Sequence, residues 1–179
     1  MRVGLFTREF PPHVYGGAGV HVDYLSRELA KEIAVEVHCW GPQKLAVGNL
    51  RVCGAEPWQE ITNGTDSKFK SALEALSLNL TQVKALTGID IVHTHTWYAS
   101  MAGYFAKKLY NVPFVLTTHS LEPLRAWKAD QLGSGYAISS WMESIFLAIP
   151  IRRIPLATKR SPGQPATLPR WAQPLDFSC

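Results

Sequence analysis

The chain has 179 residues, 46% of them apolar, which is enough for one well-filled core and ordinary for a globular protein. No run approaches the roughly 20 apolar residues of a membrane span, and the short apolar run before Arg8 and Glu9 is too brief for a signal peptide. The net charge of +4 comes from residues 150–179, with five Lys and Arg against Asp176, so residues 1–149 are neutral and do not read as a nucleic-acid binder.

In chain order, RVGLFT (2–7) predicts a buried strand. A helix is expected from about Ala18 to Lys31, where Ala18, Val22, Leu25 and Leu29 form one apolar stripe. AVEVHCW (34–40) and NLRVCGA (49–55) predict two more strands. A long helix follows in SKFKSALEALSLNLTQVKAL, with Phe69, Leu73, Leu76, Leu80 and Val83 as its inward stripe and Gly88 closing it. DIVHTHT (90–96) reads as a strand, 97–110 as a helix, PFVLTTH (113–119) as a strand, and a last helix starts near Tyr136. Apolar strands alternating with helices argue an α/β, Rossmann-like three-layer domain with a parallel sheet.

The composition then changes. Residues 150–179 carry Pro150, Pro155, Pro162, Pro165, Pro169 and Pro174, a density that forbids long helices and central strands. The expected organisation is a folded domain, 1–149, and a proline-rich basic tail, 150–179. The three cysteines, Cys39, Cys53 and Cys179, are odd in number and scattered, which fits reduced thiols in a cytoplasmic protein.

In such a sheet, ligands bind outside the carboxyl ends of the strands. Arg8 and Glu9 follow the first strand, His93 and His95 close another, and His119 closes a third. Between the first strand and its helix lies TREFPPHVYGGAGVHV, with prolines to stiffen the loop and Gly16, Gly17 and Gly19 to let a backbone approach a ligand. The helix N-terminus behind it suits a phosphate. A glycine-rich turn with no ligand explains the same spacing. A dinucleotide fingerprint fails, because Val22 occupies the third glycine position and the second strand ends without an acid. No Walker sequence is present.

His93 and His95 share one strand face and supply half of a metal site, with His119 as a possible third ligand, but no Cys or Asp cluster accompanies them. No metal and no cofactor are expected. Of the pair, His95 lies nearer the strand end and is chosen as functional. His13, His21 and His38 read as surface or packing residues. Trp97, Tyr98, Trp127 and Tyr136 can stack on sugar rings or fill the core.

TREFPPHVYGGAGVHVDYLSREL, DIVHTHTWYASMAGYFAKKL and FVLTTHSLEPLRAWKADQLGSGY together resemble the N-terminal half of glycogen-synthase-type retaining glycosyltransferases with the GT-B fold, over about residues 1–144. The likeness is greatest to the glycogen synthase or maltose-1-phosphate synthase branch. The resemblance implies a nucleotide sugar donor, ADP-glucose or UDP-glucose, and an α-1,4-glucan or glucose 1-phosphate as acceptor, without a metal. It implies that Gly16 and Gly17 approach the donor diphosphate and that His95 lies beside the transferred glucose. Arg8, Glu9, Trp97, Tyr98, His119, Glu122 and Arg125 would line the acceptor side and cleft wall. In that family an Arg/Lys pair and a glutamate come from a second domain, which these residues do not include. The match stops after SSWMES, so a truncated or frameshifted chain is expected; a proline-rich linker or docking tail is the competing reading. Two other functions stay open: a glucan-binding module without catalysis, and a metal-dependent hydrolase using the His pair. Oligomeric state is not readable from the sequence.

Overall fold

The computed structural model describes residues 1–84, 86–132, 134–148 and 152–155. In chain order the elements are β1 (Arg2–Phe6), α1 (Gly17–Leu29), β2 (Ala34–Trp40), β3 (Lys44–Val47), β4 (Leu50–Ala55), α2 (Gln59–Thr62), α3 (Ser67–Lys84), β5 (Ile91–His95), α4 (Trp97–Tyr110), β6 (Phe114–Thr118), α5 (Ala129–Leu132), α6 (Ser134–Ala148) and β7 (Arg152–Pro155). Two 3-10 turns, Glu122–Leu124 and Ala126–Lys128, precede α5. Among the described residues seven strands form one sheet in the order β3-β4-β2-β1-β5-β6-β7.

The fold is α/β and Rossmann-like, and every neighbouring pair of strands is parallel except β3 with β4. The parallel sheet is as expected, and β3 is a strand not expected from the sequence. Its antiparallel pairing has a local cause: Gly48, at φ +56°, and Asn49 make a two-residue turn that folds β3 back on β4. Strand order reverses about β1, which lies between β2 and β5. The crevice at such a reversal is where ligands bind in open α/β sheets. Here it is flanked by the ends of β1 and β5, the segments that carry Arg8, Glu9 and His95.

One face of the sheet is covered by α1. Val3, Leu5, Val35, Val37, Cys39, Leu50 and Val52 make its core, with Val22, Leu25 and Leu29 of α1 packed on it. The stripe predicted for α1 is therefore the one that packs, although only Val22 is fully buried. The other face is covered by α3, α4 and α6 around Phe6, Val92, Ala99, Ala102, Phe114 and Leu116.

The stripe predicted for α3 departs at Phe69 and Leu80, while Val83 is buried as expected. Phe69 and Leu80 are 45% and 43% exposed, while Ala72, Ala75, Leu78, Asn79 and Gln82 are buried. Alanines, Leu78 and two amides take the inward positions, and α3 lies against the alanine face of α4. Asn79 donates to the carbonyls of Ala75 and Tyr98, both at 2.6 Å, and its Oδ1 accepts from Ala102 N at 2.8 Å. Gly103 of α4 leaves no room for a Cβ, which would collide with Phe114 and Thr94. Gly88 has φ +74°, but it sits in the turn before β5 rather than against the helix end.

Residues Arg152–Pro155, inside the segment expected as a tail, pair in parallel with β6 at the sheet edge, where proline is tolerated. The rest of the expected tail, 156–179 with Cys179, lies outside the described residues, as do 149–151. Among the described residues no helix is long and apolar enough to cross a membrane.

Candidate functional site

The loop after β1 is built around Glu9. Its Oε2 accepts hydrogen bonds from the backbone N of Tyr15 at 2.9 Å and of Gly16 at 2.8 Å. The carboxylate thus stands at the positive end of α1, which has no acid in its own first turn and no side-chain cap. The three glycines divide the work. A Cβ on Gly19 would meet Glu9 Cβ at 2.8 Å and Oε2 at 2.9 Å, so Gly19 makes room for Glu9. Around Gly16 and Gly17 a Cβ would meet nothing within 4 Å, so the chain is open there to an incoming group. None of the three needs positive φ, and Gly16 is extended at φ −162°. The loop donors are thus only partly free: the N–H of Gly16 is taken, whereas those of Gly17, Ala18 and Gly19 have no acceptor within the helix.

Beside this loop four imidazoles gather. His93 and His95 project from the same face of β5, toward α1, with ring centroids 4.3 Å apart. His119, just past β6, is 5.4 Å from His95 by centroid, and their Nε2 and Nδ1 lie 3.1 Å apart, a hydrogen bond in which one ring donates and the other accepts. His93 Nε2 bonds Thr117 Oγ1 at 2.7 Å. The fourth ring is His21 of α1, 5.5 Å from His95 and 5.2 Å from His119. His21, expected as a surface or packing residue, packs its ring within this cluster. One turn into a helix whose N-terminus faces the strand ends, His21 is carried to the same place; the i, i+4 row Gly17–His21 was the available signal.

Burial, with the neighbouring rings adding to it, favours the neutral form of three of these rings. It pushes the imidazoles of His93 and His119 down to about 4 and that of His95 well below the usual histidine range. His93, His95 and His119 therefore serve as hydrogen-bond donors and acceptors and not as cations. His95 is fully buried, and its Nε2 has no partner among the described residues. The residue after it, Thr96, sits at φ +66°, ψ 169°, a strained conformation for a β-branched residue at the strand-to-helix turn. Among the described residues no group of three or more His, Cys, Asp or Glu is arranged to hold a metal ion.

Arg8 lies on the other side of the same rim. Its guanidinium is 4.5 Å from the Tyr98 ring centroid, 4.9 Å from Trp40 and 5.9 Å from Tyr15. Trp40 meets Tyr98 edge-on at 5.5 Å. A groove of about 280 Å³ lined by Arg8, His13, Tyr15, Trp40 and Glu56 runs beside this stack. Trp40 and Tyr15 were not singled out in the sequence. Trp97 stacks on Tyr98 but is 8% exposed and packs with Phe114, Leu116 and Met142, so it belongs to the core rather than to the cleft wall. Arg125 donates to Ser120 Oγ at 3.2 Å, Glu122 opens a 3-10 turn, and Trp127 is exposed. His38 does pack: it is buried on β2 beside Glu36 and edge-on to Phe6.

Comparison with known proteins follows the same residues. A family model described as Glycosyltransferase Family 4 matches residues 15–156. Over 143 residues the chain is 48% identical to α-maltose-1-phosphate synthase of Mycolicibacterium smegmatis, which covers 80% of this chain and 34% of that protein. It is 26% identical over 170 residues to glycogen synthase of Mycobacterium tuberculosis, covering 79% and 40%. The chain thus spans about a third of the length of the curated relatives it matches first. Among solved structures, sucrose-phosphate synthase from Thermosynechococcus elongatus superposes with a TM-score of 0.60 at 15% identity, over 83% of this chain and 40% of that one. The catalytic domain of starch synthase IV from Arabidopsis thaliana gives 0.50 at 19%, over 67% and 34%. At these identities the two structures speak for the fold, that of one half of a GT-B enzyme. With the family model running from the Tyr15 loop to the edge strand, the chain belongs to glycosyltransferase family 4.

Proposed function

We propose that this chain forms one wall of the cleft of a retaining glucosyltransferase of the glycogen synthase or maltose-1-phosphate synthase kind. The donor is a nucleotide sugar, ADP-glucose or UDP-glucose, and the acceptor an α-1,4-glucan or glucose 1-phosphate. One observation carries the reading: the open backbone at Gly16 and Gly17 and the N-terminus of α1 face the same rim as the histidine cluster. The leaving diphosphate needs positive field without proton bookkeeping, and backbone N–H groups with a helix dipole supply part of it. His95 is assigned to the transferred sugar. A buried polar atom without a partner costs about 1–3 kcal/mol, and a sugar hydroxyl would satisfy Nε2. The ring is fully buried here, so the hydroxyl reaches it only when neighbouring side chains part. Arg8, with Tyr98 and Trp40, makes the acceptor wall; Glu9 fixes the loop.

The aromatic stack about Arg8 also favours a second reading, a module that holds a glucan and does no chemistry. Amide-resolved titration with ADP, UDP and maltoheptaose separates the two. The transferase reading expects the diphosphates to shift Gly16, Gly17 and His21. Shifts from maltoheptaose alone, at Tyr15 and Tyr98, would leave only the glucan module.

A further inference from the structure

The sheet is not apolar on both faces. Under α1 the side chains of β2 are Val35, Val37 and Cys39. On the opposite face β2 presents Glu36 and His38, 8% and 4% exposed, and α3 adds Gln82, 2% exposed. Strands covered by helices on both sides are ordinarily apolar on both sides. Three buried polar side chains cost free energy unless each is partnered.

The partnering is incomplete. Glu36 Oε1 lies 2.9 Å from His38 Nε2, off the line of a good hydrogen bond, and Oε2 lies 3.9 Å from Arg51. Gln82 donates through Nε2 to the carbonyl of His38 at 3.2 Å, while its shielded Oε1 has no partner among the described residues. These groups enclose a cavity of about 360 Å³ whose lining includes Arg2, Arg51 and Cys53. Both arginines are exposed, so their guanidiniums stand where the cavity meets solvent. Two guanidiniums against one carboxylate leave a positive excess. The cavity is on the face away from His93 and His95, which project toward α1.

We propose that this cavity binds a small hydroxylated phosphate monoester of sugar-monophosphate size. Its phosphate is held by Arg2 and Arg51, and its hydroxyls donate to the Glu36 carboxylate and, once the side chains that shield it part, to Gln82 Oε1. The volume is within the range of small-molecule sites, about 300–1,000 Å³. A bare anion would leave Gln82 Oε1 unsatisfied, and a neutral sugar would leave both guanidiniums unused. The site stands apart from the cleft and does not rest on the function proposed for it.

The test is titration of the full chain with fructose 6-phosphate, inorganic phosphate and fructose, read by backbone amide shifts and by alkylation of Cys53. Cys39, fully buried and with its thiol pushed up to about 12 by burial, is the silent control. Fructose 6-phosphate is expected to shift the amides of Arg51, Cys53 and Gln82 saturably and to slow alkylation of Cys53. Phosphate and fructose are expected to bind about tenfold more weakly or worse. Arg2→Ala and Arg51→Ala change exposed side chains, keep the fold, and should each weaken fructose 6-phosphate by about tenfold. No saturable shift at those amides, phosphate binding as tightly as the sugar phosphate, or unchanged affinity in both variants would each overturn the proposal.

Discussion

Glu9 and Gly19 are fitted to each other: the carboxylate that holds the amides of Tyr15 and Gly16 occupies the space a Cβ on Gly19 would take, 2.9 Å from Oε2. The loop conformation therefore depends on Gly19 as well as on Glu9. Gly19→Ala is expected to displace Glu9 and cost about 1–3 kcal/mol of stability, as overpacking does. Gly17→Ala, in open space at the first turn of α1, should be neutral or stabilising by about 0.5–1 kcal/mol. Urea unfolding of the two variants checks this; equal costs would mean that Glu9 does not constrain the loop.

Thr96 concentrates strain where β5 hands over to α4. Its φ of +66° suits glycine, and its buried Oγ1 has no partner among the described residues. Strain of this kind is worth about 1–3 kcal/mol, against which glycine loses up to about 1 kcal/mol in unfolded-state entropy. Thr96→Gly should therefore be more stable than Thr96→Ala, which keeps the strain. A thermal melt in which the alanine variant is the more stable would remove the strain argument.

The histidine cluster makes the fold acid-sensitive in a defined window. His93 and His119 titrate near 4 in the folded chain, against 6.5 when free. Between those values the unfolded chain binds more protons than the native one, so stability is fully present above about pH 6.5 and falls as pH drops toward 4. Glu36, held below its ordinary 4.5 chiefly by His38, adds a loss only at lower pH. Urea midpoints measured at about pH 7 and about pH 5 should fall with acid, and His93→Gln should flatten the fall. A midpoint unchanged over that interval would show that His93 and His119 are not held neutral by the fold.

How far the sequence could be read depended on which forces decide each feature. The limits of α4, 97–110, follow from periodicity, and the shared face of His93 and His95 follows from strand alternation; both needed only local geometry. The inward face of α3 did not follow. Leucines suggested one stripe, but the approach of α4 selected alanines and Asn79, a choice set by a neighbour about 20 residues further along. The glycine loop was recognised as a place of close approach, yet the occupant of its Gly16 amide is Glu9, and only the folded loop brings the two together. His21 was missed because a helix position next to a packed stripe looks like surface until the strand ends are placed beside it.

The central claim is that this chain supplies one wall of a two-walled cleft. In such a cleft the reacting groups come to within about 3–3.5 Å only when both walls close, and binding to one wall gives no preference for the transition state. The direct measurement is nucleotide release coupled to glucan growth, with the purified chain, ADP-glucose or UDP-glucose, and glycogen or glucose 1-phosphate. No sustained turnover is expected, even where the Gly16 and Gly17 amides respond to the diphosphate. Sustained glucose transfer by the 179 residues alone would contradict it.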